Sequence, residues 1–439
     1  MPGLNSEAGQ PRDARGIFLA PMYSGFMPWI AQRAPEFDRA GMEALLRKTI
    51  AQAKKRISAS PKRVLLLPPD ITRMHSGAGW ITEYLYQRFS DEGTEVHVIP
   101  TLGQHEPHTE EQNEQMFGSI PQDRIHVHDW RGGVVEVGTV PASYVKEVSN
   151  GAADWDMPIF LNRMLIEESW DLIINVGHVV PHEVLGFANH NKNYFIGLGG
   201  KATLSAAHLA AARCGIENNL GELVTPVRQC FNNAEEDFLQ DLPDLYIQVV
   251  MARNEAGKLV HTGFYAGDDL DTYLSAARQA REQNITLLDE PLKKVVCVMQ
   301  DDEFFSTWVA NKAVYRTRMA IADDGELLII APGLKRFGEQ PEVDELIRKY
   351  GYVGTPKVME LYKQNEDMQD LAHATAHLIH GSSEGRFTIR YAPGHLTQEE
   401  IEGVGFAYAD LDETLRKYDI ENLKEGFNEV DGEEIFFIP

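Results

Sequence analysis

The sequence predicts an α/β protein of two domains, of which the larger is built on a doubly wound parallel sheet. At 439 residues the chain exceeds what one ordinary hydrophobic core supports, so two domains are expected. Short, continuously apolar segments at 63–67 and 171–177 are typical of strands buried on both faces of a parallel sheet. Segments with helical periodicity separate such strands, and this alternation is typical of doubly wound folds.

The elements follow in order along the chain. The first domain, 1–285, opens with a short strand or plug at 16–21 and a surface loop or substrate lid at 22–29. Its periodic segments then predict helices at 37–58, 80–89, 158–168, 203–214 and 268–282, and strands at 63–67, 95–100, 124–130, 171–177, 245–251 and 258–265. The acidic group at 109–112 suits a helix N-terminus.

A linker near 285–294 separates the second, smaller α/β domain at 290–412. Its pattern predicts strands at 294–300, 326–332 and 386–392, and helices at 307–322, 341–350 and 358–380. We expect the final segment, 413–439, to pack back on the first domain.

Charge and cysteine content exclude several classes of protein. A net charge of −25 repels phosphate backbones and anionic lipid, so we expect no nucleic acid or membrane partner. The sequence contains no run of about 18 apolar residues, which is the length that predicts a transmembrane helix. The three cysteines are far apart and form no CxxC, and the N-terminus lacks the apolar region of a signal peptide. A reducing cytoplasm fits these features.

Ionisable side chains cluster in three loops that follow predicted strands. The loops carry Asp70, Thr72 and Arg73; then His105; then His182, Lys192 and, on the next helix, His208. Loops at the carboxyl ends of parallel strands converge on one crevice, so these groups are expected to share a pocket. An arginine at such a position suits a substrate carboxylate.

Each of these residues also has a structural alternative. The aspartate can cap the following helix, His105 and Lys192 can be solvated loop residues, and His208 can be a core histidine. Three histidines also suit zinc, although no HxH or HExxH spacing is present. The fingerprints of serine hydrolases, dinucleotide-binding folds and P-loops are absent from the sequence.

Taken together, the loops resemble the lactate racemase family, whose members use a nickel-pincer nucleotide. Five motifs carry the resemblance in order: D-x-T-R at 70–73, G-x-H-x-P at 103–107, G-x-x-x-P-H at 177–182, G-F then K at 186, 187 and 192, and a helix histidine at 208. The interval from His182 to Lys192 is 10 residues, and from Lys192 to His208 it is 16, as in the family.

The resemblance implies a role for each of these residues. Lys192 would tether the nucleotide covalently, His208 would ligate nickel, and His105 and His182 would be the two acid/base residues. Such an enzyme would racemise or epimerise a 2-hydroxy acid by reversible hydride transfer, and it would depend on cofactor-synthesis proteins. Two bases are needed because each enantiomer presents its hydroxyl differently. Further cofactor contacts are expected from Asp70, Thr72, Gly186 and Lys312, and substrate contacts from Arg73, Asn189 and Trp308.

Departures from the family pattern bear on the substrate. The segment from Trp308 to Lys312 aligns with an aromatic-Gln-x-x-Lys segment, but Val309 replaces the glutamine. A Ser-Gly-Gly-Arg-like run of the family is Ala-Asn-His-Asn here, at 188–191, and Leu371 lies where the family has a tryptophan. The polar residues at 189–191 favour a substrate larger or more polar than lactate. A metal-dependent hydrolase or lyase using the same histidines, and a family member that binds the nucleotide without racemising anything, remain alternatives.

Overall fold

The computed structural model describes residues 28–57 and 59–439. The strand or plug expected at 16–21 lies outside the described residues, and so does the expected loop or lid at 22–29 except for its last two residues. Among the helices of the described part, none combines the length and the apolar character needed to cross a membrane.

Sixteen strands form two large sheets and two small ribbons within the described residues. In chain order they are β1 (Ile30–Arg33), β2 (Arg63–Leu67), β3 (Glu95–Val98), β4 (Val134–Val140), β5 (Met157–Asn162), β6 (Leu172–His178), β7 (Pro181–His182), β8 (Gly186–Phe187), β9 (Asp244–Arg253), β10 (Leu259–Gly267), β11 (Leu292–Val298), β12 (Ile321–Ala331), β13 (Thr388–Pro393), β14 (Ala407–Tyr408), β15 (Gly426–Val430) and β16 (Glu433–Ile438).

The α-helices of the same part also number sixteen. They are α1 (Arg39–Arg56), α2 (Ala78–Ser90), α3 (Glu110–Phe117), α4 (Ala142–Val148), α5 (Arg163–Glu167), α6 (Lys201–Cys214), α7 (Pro226–Phe238), α8 (Leu270–Asn284), α9 (Thr307–Ala310), α10 (Lys312–Thr317), α11 (Pro341–Tyr350), α12 (Thr355–Gln364), α13 (Glu366–Asp370), α14 (Ala372–His380), α15 (Gln398–Gly403) and α16 (Leu411–Tyr418).

The first sheet has the order β1-β10-β9-β6-β2-β3, with β9, β6, β2 and β3 parallel and β10 and β1 antiparallel at one edge. Side chains of β2 alternate between two hydrophobic cores. Leu65 and Leu67 pack in one core, whereas Val64 and Leu66 pack in the core on the opposite face. Burial on both faces explains the continuously apolar strands and confirms the expected parallel α/β architecture.

The second sheet has the order β14-β13-β12-β11-β16-β15, and all neighbours are parallel except β15 and β16. The C-terminal segment therefore corrects an expectation: 413–439 does not pack back on the first sheet. It supplies the last two strands of the second, with Phe436 beside Val295. The free edge of β11 satisfies the backbone of β16, and Ile435 and Phe437 are buried there.

Other predicted elements also differ from the structure. The strand expected at 124–130 reduces to one bridge between Ile125 and Val98. The helix expected at 158–168 is instead β5, which pairs with β4, followed by the short helix α5. Helix 307–322 is replaced by α9 and α10 and the start of β12, and helix 358–380 is divided into α12, α13 and α14.

The two halves of the molecule meet where α6 packs against α14. Ala212 and Ile216, at the end of α6 and just after it, belong to the hydrophobic core that covers the second sheet. Arg318 crosses the boundary with its Nε 2.8 Å from a carboxylate oxygen of Glu217. Because α6 also follows the loop after β6, this contact places the second half beside the loops at the carboxyl ends of the first sheet.

Candidate active site

Asp70 and His105 form a hydrogen-bonded pair beyond the ends of β2 and β3. The His105 Nδ1–H donates to Asp70, and the Thr72 hydroxyl donates to the other carboxylate oxygen at 2.6 Å. Burial opposes ionisation of Asp70, but the hydrogen bond and charge of His105 outweigh it and lower the pKa to about 2. The His105 side chain is 57% exposed, and because Nδ1 is bonded to Asp70, Nε2 is the nitrogen available to a ligand.

His182 lies on the small β7–β8 ribbon that follows β6. Gly186 adopts a φ of +78°, and a Cβ there would lie 1.9 Å from the Glu222 carbonyl oxygen, so the turn requires glycine. The backbone N–H of Val184 donates to His182 Nδ1 at 3.1 Å. Burial lowers the pKa of His182 to about 3, so the ring is neutral and carries its proton on Nε2.

Lys192 and His208 are presented by the next two elements. Lys192 precedes a one-turn π-helix, Asn193–Gly197, and burial followed by the charge of Arg73 lowers its pKa to about 8. His208, on α6, donates its Nδ1–H to the Leu204 carbonyl oxygen at 2.7 Å, which leaves Nε2 free as a ligand. Burial also lowers the pKa of His208 and keeps the ring neutral.

Backbone contacts bring the loops together. The N–H of Gly103 donates to the Gly197 carbonyl oxygen at 2.8 Å, which ties the His105 loop to the π-helix that follows Lys192. Glu183 interacts electrostatically with both Lys192 and His208, so these groups share one site with His182.

The second half contributes the opposite wall of the cleft. Lys312, at the start of α10, interacts electrostatically with Arg73 and Glu183, and desolvation within the cleft lowers its pKa. Trp308 packs on His377, with ring centroids 4.5 Å apart and the rings tilted by 34°, and it meets His373 edge to face. Arg73 and Lys312 therefore face each other across the cleft as two cations able to bind an anion.

The loop from 188 to 191 lies inside the first half. Asn189 is 3% exposed and its carbonyl group accepts from Asn193, while His190 stacks on Tyr246 with ring centroids 4.1 Å apart. The expected contact of Asn189 with substrate therefore finds no support in its surroundings. The side-chain oxygens of Asn189 and Asn191 belong to an internal hydrogen-bond network with Asn193 and Arg228, which sequence alone does not distinguish from a binding surface.

Sequence reasoning missed two residues of the site, Arg228 and Glu183, and it also missed the burial of His128. Arg228, from α7, is fully buried and donates to the Phe187 carbonyl oxygen at 2.7 Å and to the side chain of Asn191. His128 is buried and bonded to Asn162 and to the Gly199 carbonyl group. Glu183 gave a signal that could have been used, because it is an ionisable residue directly after His182.

The N-terminal part of the chain is similar to a known domain. Residues 31–218 match the model of the lactate racemase N-terminal domain. This part of the chain is therefore similar to the N-terminal domain of lactate racemases. Asp70, His105, His182, Lys192 and His208 all lie within the matched segment, which confirms the family resemblance. No curated protein matches the chain.

Two solved structures show the same fold over nearly the whole chain. A protein of Thermotoga maritima matches with a TM-score of 0.75 and 24% identity, covering 93% of this chain and 98% of its own. The lactate racemase apoprotein of Thermoanaerobacterium thermosaccharolyticum matches with a TM-score of 0.67 and 17% identity, covering 94% and 93%. The lactate racemase fold thus includes the second half, which lies beyond the matched N-terminal domain.

Proposed function

We propose that the protein racemises or epimerises a 2-hydroxy acid by reversible hydride transfer to a nickel-pincer nucleotide attached to Lys192. One observation carries the proposal: the free Nε2 of His208 and the amine of Lys192 belong to the same electrostatic cluster as His182 and Glu183. The Asp70–His105 pair completes this cluster from a neighbouring loop, since Asp70 also interacts with Lys192.

The residues present fit such a cofactor. A neutral imidazole with Nδ1 bound to a carbonyl group and Nε2 free is the form that ligates a transition metal. An amine with a pKa of about 8 is partly unprotonated near neutral pH, which is the form that bonds covalently to an acyl group. When bound, the nucleotide supplies a reversible acceptor for the hydride on C2 of the substrate.

The side chains of the cleft then hold the substrate and move its proton. Arg73 and Lys312 bind the carboxylate and orient the C2 hydroxyl. His105 removes the hydroxyl proton through Nε2, while Asp70 stabilises the imidazolium that forms. His182, on the neighbouring loop, donates its Nε2–H proton to the same oxygen as hydride returns to the opposite face of C2, and it regains a proton from the His105 imidazolium through solvent. Trp308 closes the second-half wall and excludes water from the reacting carbon.

A zinc hydrolase built on His105, His182 and His208 has less support. Among the described residues, no group of three or more histidine, cysteine, aspartate or glutamate side chains is arranged to hold a metal ion.

Intact mass spectrometry of protein co-expressed with cofactor-synthesis proteins tests the proposal. We expect an adduct of several hundred daltons in the wild type and bare protein in Lys192→Ala, since that variant lacks the amine. Lys201→Ala is the control, because it removes a different lysine, at the start of α6, and it should retain the adduct. Chiral analysis of a panel of 2-hydroxy and sugar acids follows. A loaded protein that alters no stereocentre in the panel would show a cofactor-binding protein that is not a racemase.

A further inference from the structure

We propose that Glu183 selects the substrate by accepting hydrogen bonds from hydroxyl groups beyond C2, so that the substrate is a polyhydroxylated 2-hydroxy acid. This inference rests on the proposed function and concerns the same cleft. It assigns a role to a carboxylate that the proton-transfer scheme does not use.

Glu183 lies in the middle of the candidate site. Its carboxylate is 3.9 Å from Nδ1 of His182, the preceding residue. It interacts electrostatically with Lys192 and His208 on the first-half side. From the second half, Lys312 and His380 interact with it across the cleft. Charged and titratable groups from both halves therefore converge on this carboxylate.

Within the described residues, the carboxylate of Glu183 accepts from its own backbone N–H but has no hydrogen bond to another side chain. His182 does not supply one, because its Nδ1 already accepts from Val184. Asp70 provides the contrast, since both its oxygens are bonded, to His105 and to Thr72. The Glu183 side chain is 32% exposed, so water can solvate it in the free protein. A ligand that displaces this water must bring donors of its own, or the carboxylate loses its hydrogen bonds.

The charges around Glu183 indicate what kind of donor fits. Arg73 and Lys312 already suit the substrate carboxylate, and the C2 hydroxyl gives its proton to a histidine. A further donor must therefore come from the rest of the substrate. An ammonium group is disfavoured because Arg73, Lys312 and Arg316 create a positive field in the cleft. Neutral hydroxyl groups donate without that repulsion, so hydroxylated carbons next to C2 fit best.

Matched pairs of acids test this inference in the loaded enzyme. We would compare glycerate with lactate, and 2,3,4-trihydroxybutanoate with 2-hydroxybutanoate, because each pair differs only in hydroxyl groups beyond C2. The wild type should prefer the hydroxylated acid by on the order of 10²-fold in kcat/KM, since a site that bonds a hydroxyl rejects analogues lacking it. Glu183→Leu should reduce this preference to a few-fold, mainly through a higher KM for the hydroxylated acid, and Glu183→Gln should give an intermediate value.

Glu303→Gln is the matched control. Glu303 is an exposed carboxylate that also interacts with Lys312, so this variant makes the same change in charge without altering the acceptor at Glu183. The preference should be unchanged in it. Equal turnover of both members of each pair by the wild type would overturn the inference. An equal loss for both members in Glu183→Leu would also overturn it, since a role through His182 acts on every substrate alike.

Binding of the same acids, measured by calorimetry on the same holoprotein, separates this inference from the proposed function. If no acid is racemised, the proposed function fails. The calorimetric preference for the hydroxylated acid, and its loss in Glu183→Leu, still decides whether Glu183 recognises hydroxyl groups. Equal affinity for both members of a pair would reject the inference by this second measurement.

Discussion

The two candidate acid/base residues differ in the nitrogen that carries their proton. His105 gives its Nδ1–H to Asp70 and presents an unprotonated Nε2, whereas His182 accepts at Nδ1 and presents a protonated Nε2. At rest, one histidine is therefore a hydrogen-bond acceptor toward the cleft and the other is a donor. The position of the proton is set by the carboxylate of Asp70 in His105 and by the backbone N–H of Val184 in His182.

Asp70→Asn tests the role of the carboxylate behind His105. An amide can accept from Nδ1–H but does not stabilise the imidazolium, so we expect a fall on the order of 10²–10⁴-fold in the step that uses His105 as base. The pre-steady-state rate of C2–H cleavage, measured separately from each enantiomer, should show the larger loss for one of them. Thr72→Val removes a neutral bond to the same carboxylate and should have a much smaller effect. Equal losses for both enantiomers in Asp70→Asn would contradict this role.

Residues at the ends of strands could be located from the sequence, because parallel topology alone brings Asp70, His105 and His182 to one edge of the sheet. The hydrogen-bond partners of buried side chains could not be located in this way. His128 is held by Asn162 and a Gly199 carbonyl group, both of which are distant in sequence. Burial of this kind depends on long-range contacts that local periodicity does not report.

At the scale of elements, the loop between β8 and the π-helix is fixed by α7. The guanidinium of Arg228 lies 4.3 Å over the ring of Tyr273 and donates to Phe187 and Asn191. Asn193 donates to Asn175 on β6 and to Asn189, each at 2.7 Å. The position of Lys192 therefore depends on a polar network beneath it.

Replacing Arg228 tests this dependence. Arg228→Met preserves much of the volume but leaves buried acceptors without a donor, and we expect a loss of about 3 kcal/mol in the free energy of unfolding. Denaturant unfolding measures it. Arg163→Met is the control, since Arg163 forms an exposed pair with Glu167 and should cost about 0.5 kcal/mol. Cofactor loading at Lys192 should also fall in Arg228→Met, and full loading with unchanged stability would refute the anchoring role.

The elements that sequence analysis predicted well are those with a strong period of their own, such as β2, β6, α6 and α8. The segment at 158–168 was predicted as a helix, but β4 provides a strand edge on which its first residues pair as β5. Helix 358–380 carries a helical pattern throughout, yet it breaks at Asn365 and Leu371, whose backbones are not helical. Tertiary pairing and local breaks decide such cases.

At the scale of the whole molecule, the contact between α6 and α14 holds the two halves around the cleft. Behind it, His377 is buried between two tyrosines, with Nδ1 2.6 Å from the hydroxyl of Tyr315 and Nε2 2.9 Å from that of Tyr352. The second half thus presents Trp308 on a histidine that is itself fixed on both sides. This support makes the wall opposite Lys192 rigid.

The stability of this support should depend on pH. Burial lowers the pKa of His377 to about 3, whereas the unfolded chain titrates near the ordinary value of 6.5. The unfolded state therefore binds the proton first, and stability is full above pH 6.5 and decreases as the pH falls toward 3. We expect His377 to contribute a loss of about 2 kcal/mol between pH 7 and pH 5. The free energy of unfolding, measured with denaturant at pH 7 and at pH 5, should fall by this amount more in the wild type than in His377→Gln. An equal fall in the two proteins would exclude the contribution of His377.

The hydrogen bond from the Val184 amide to His182 has a further consequence for the kinetics. It makes the two faces of the cleft unequal before any substrate binds, yet enantiomers have equal free energy in water. For a pair of enantiomers, the Haldane relation then requires the same kcat/KM in both directions. The inequality of the histidines can appear only as compensating differences in kcat and KM. For diastereomers, which a polyhydroxylated acid would give, this constraint is lifted and one epimer can accumulate.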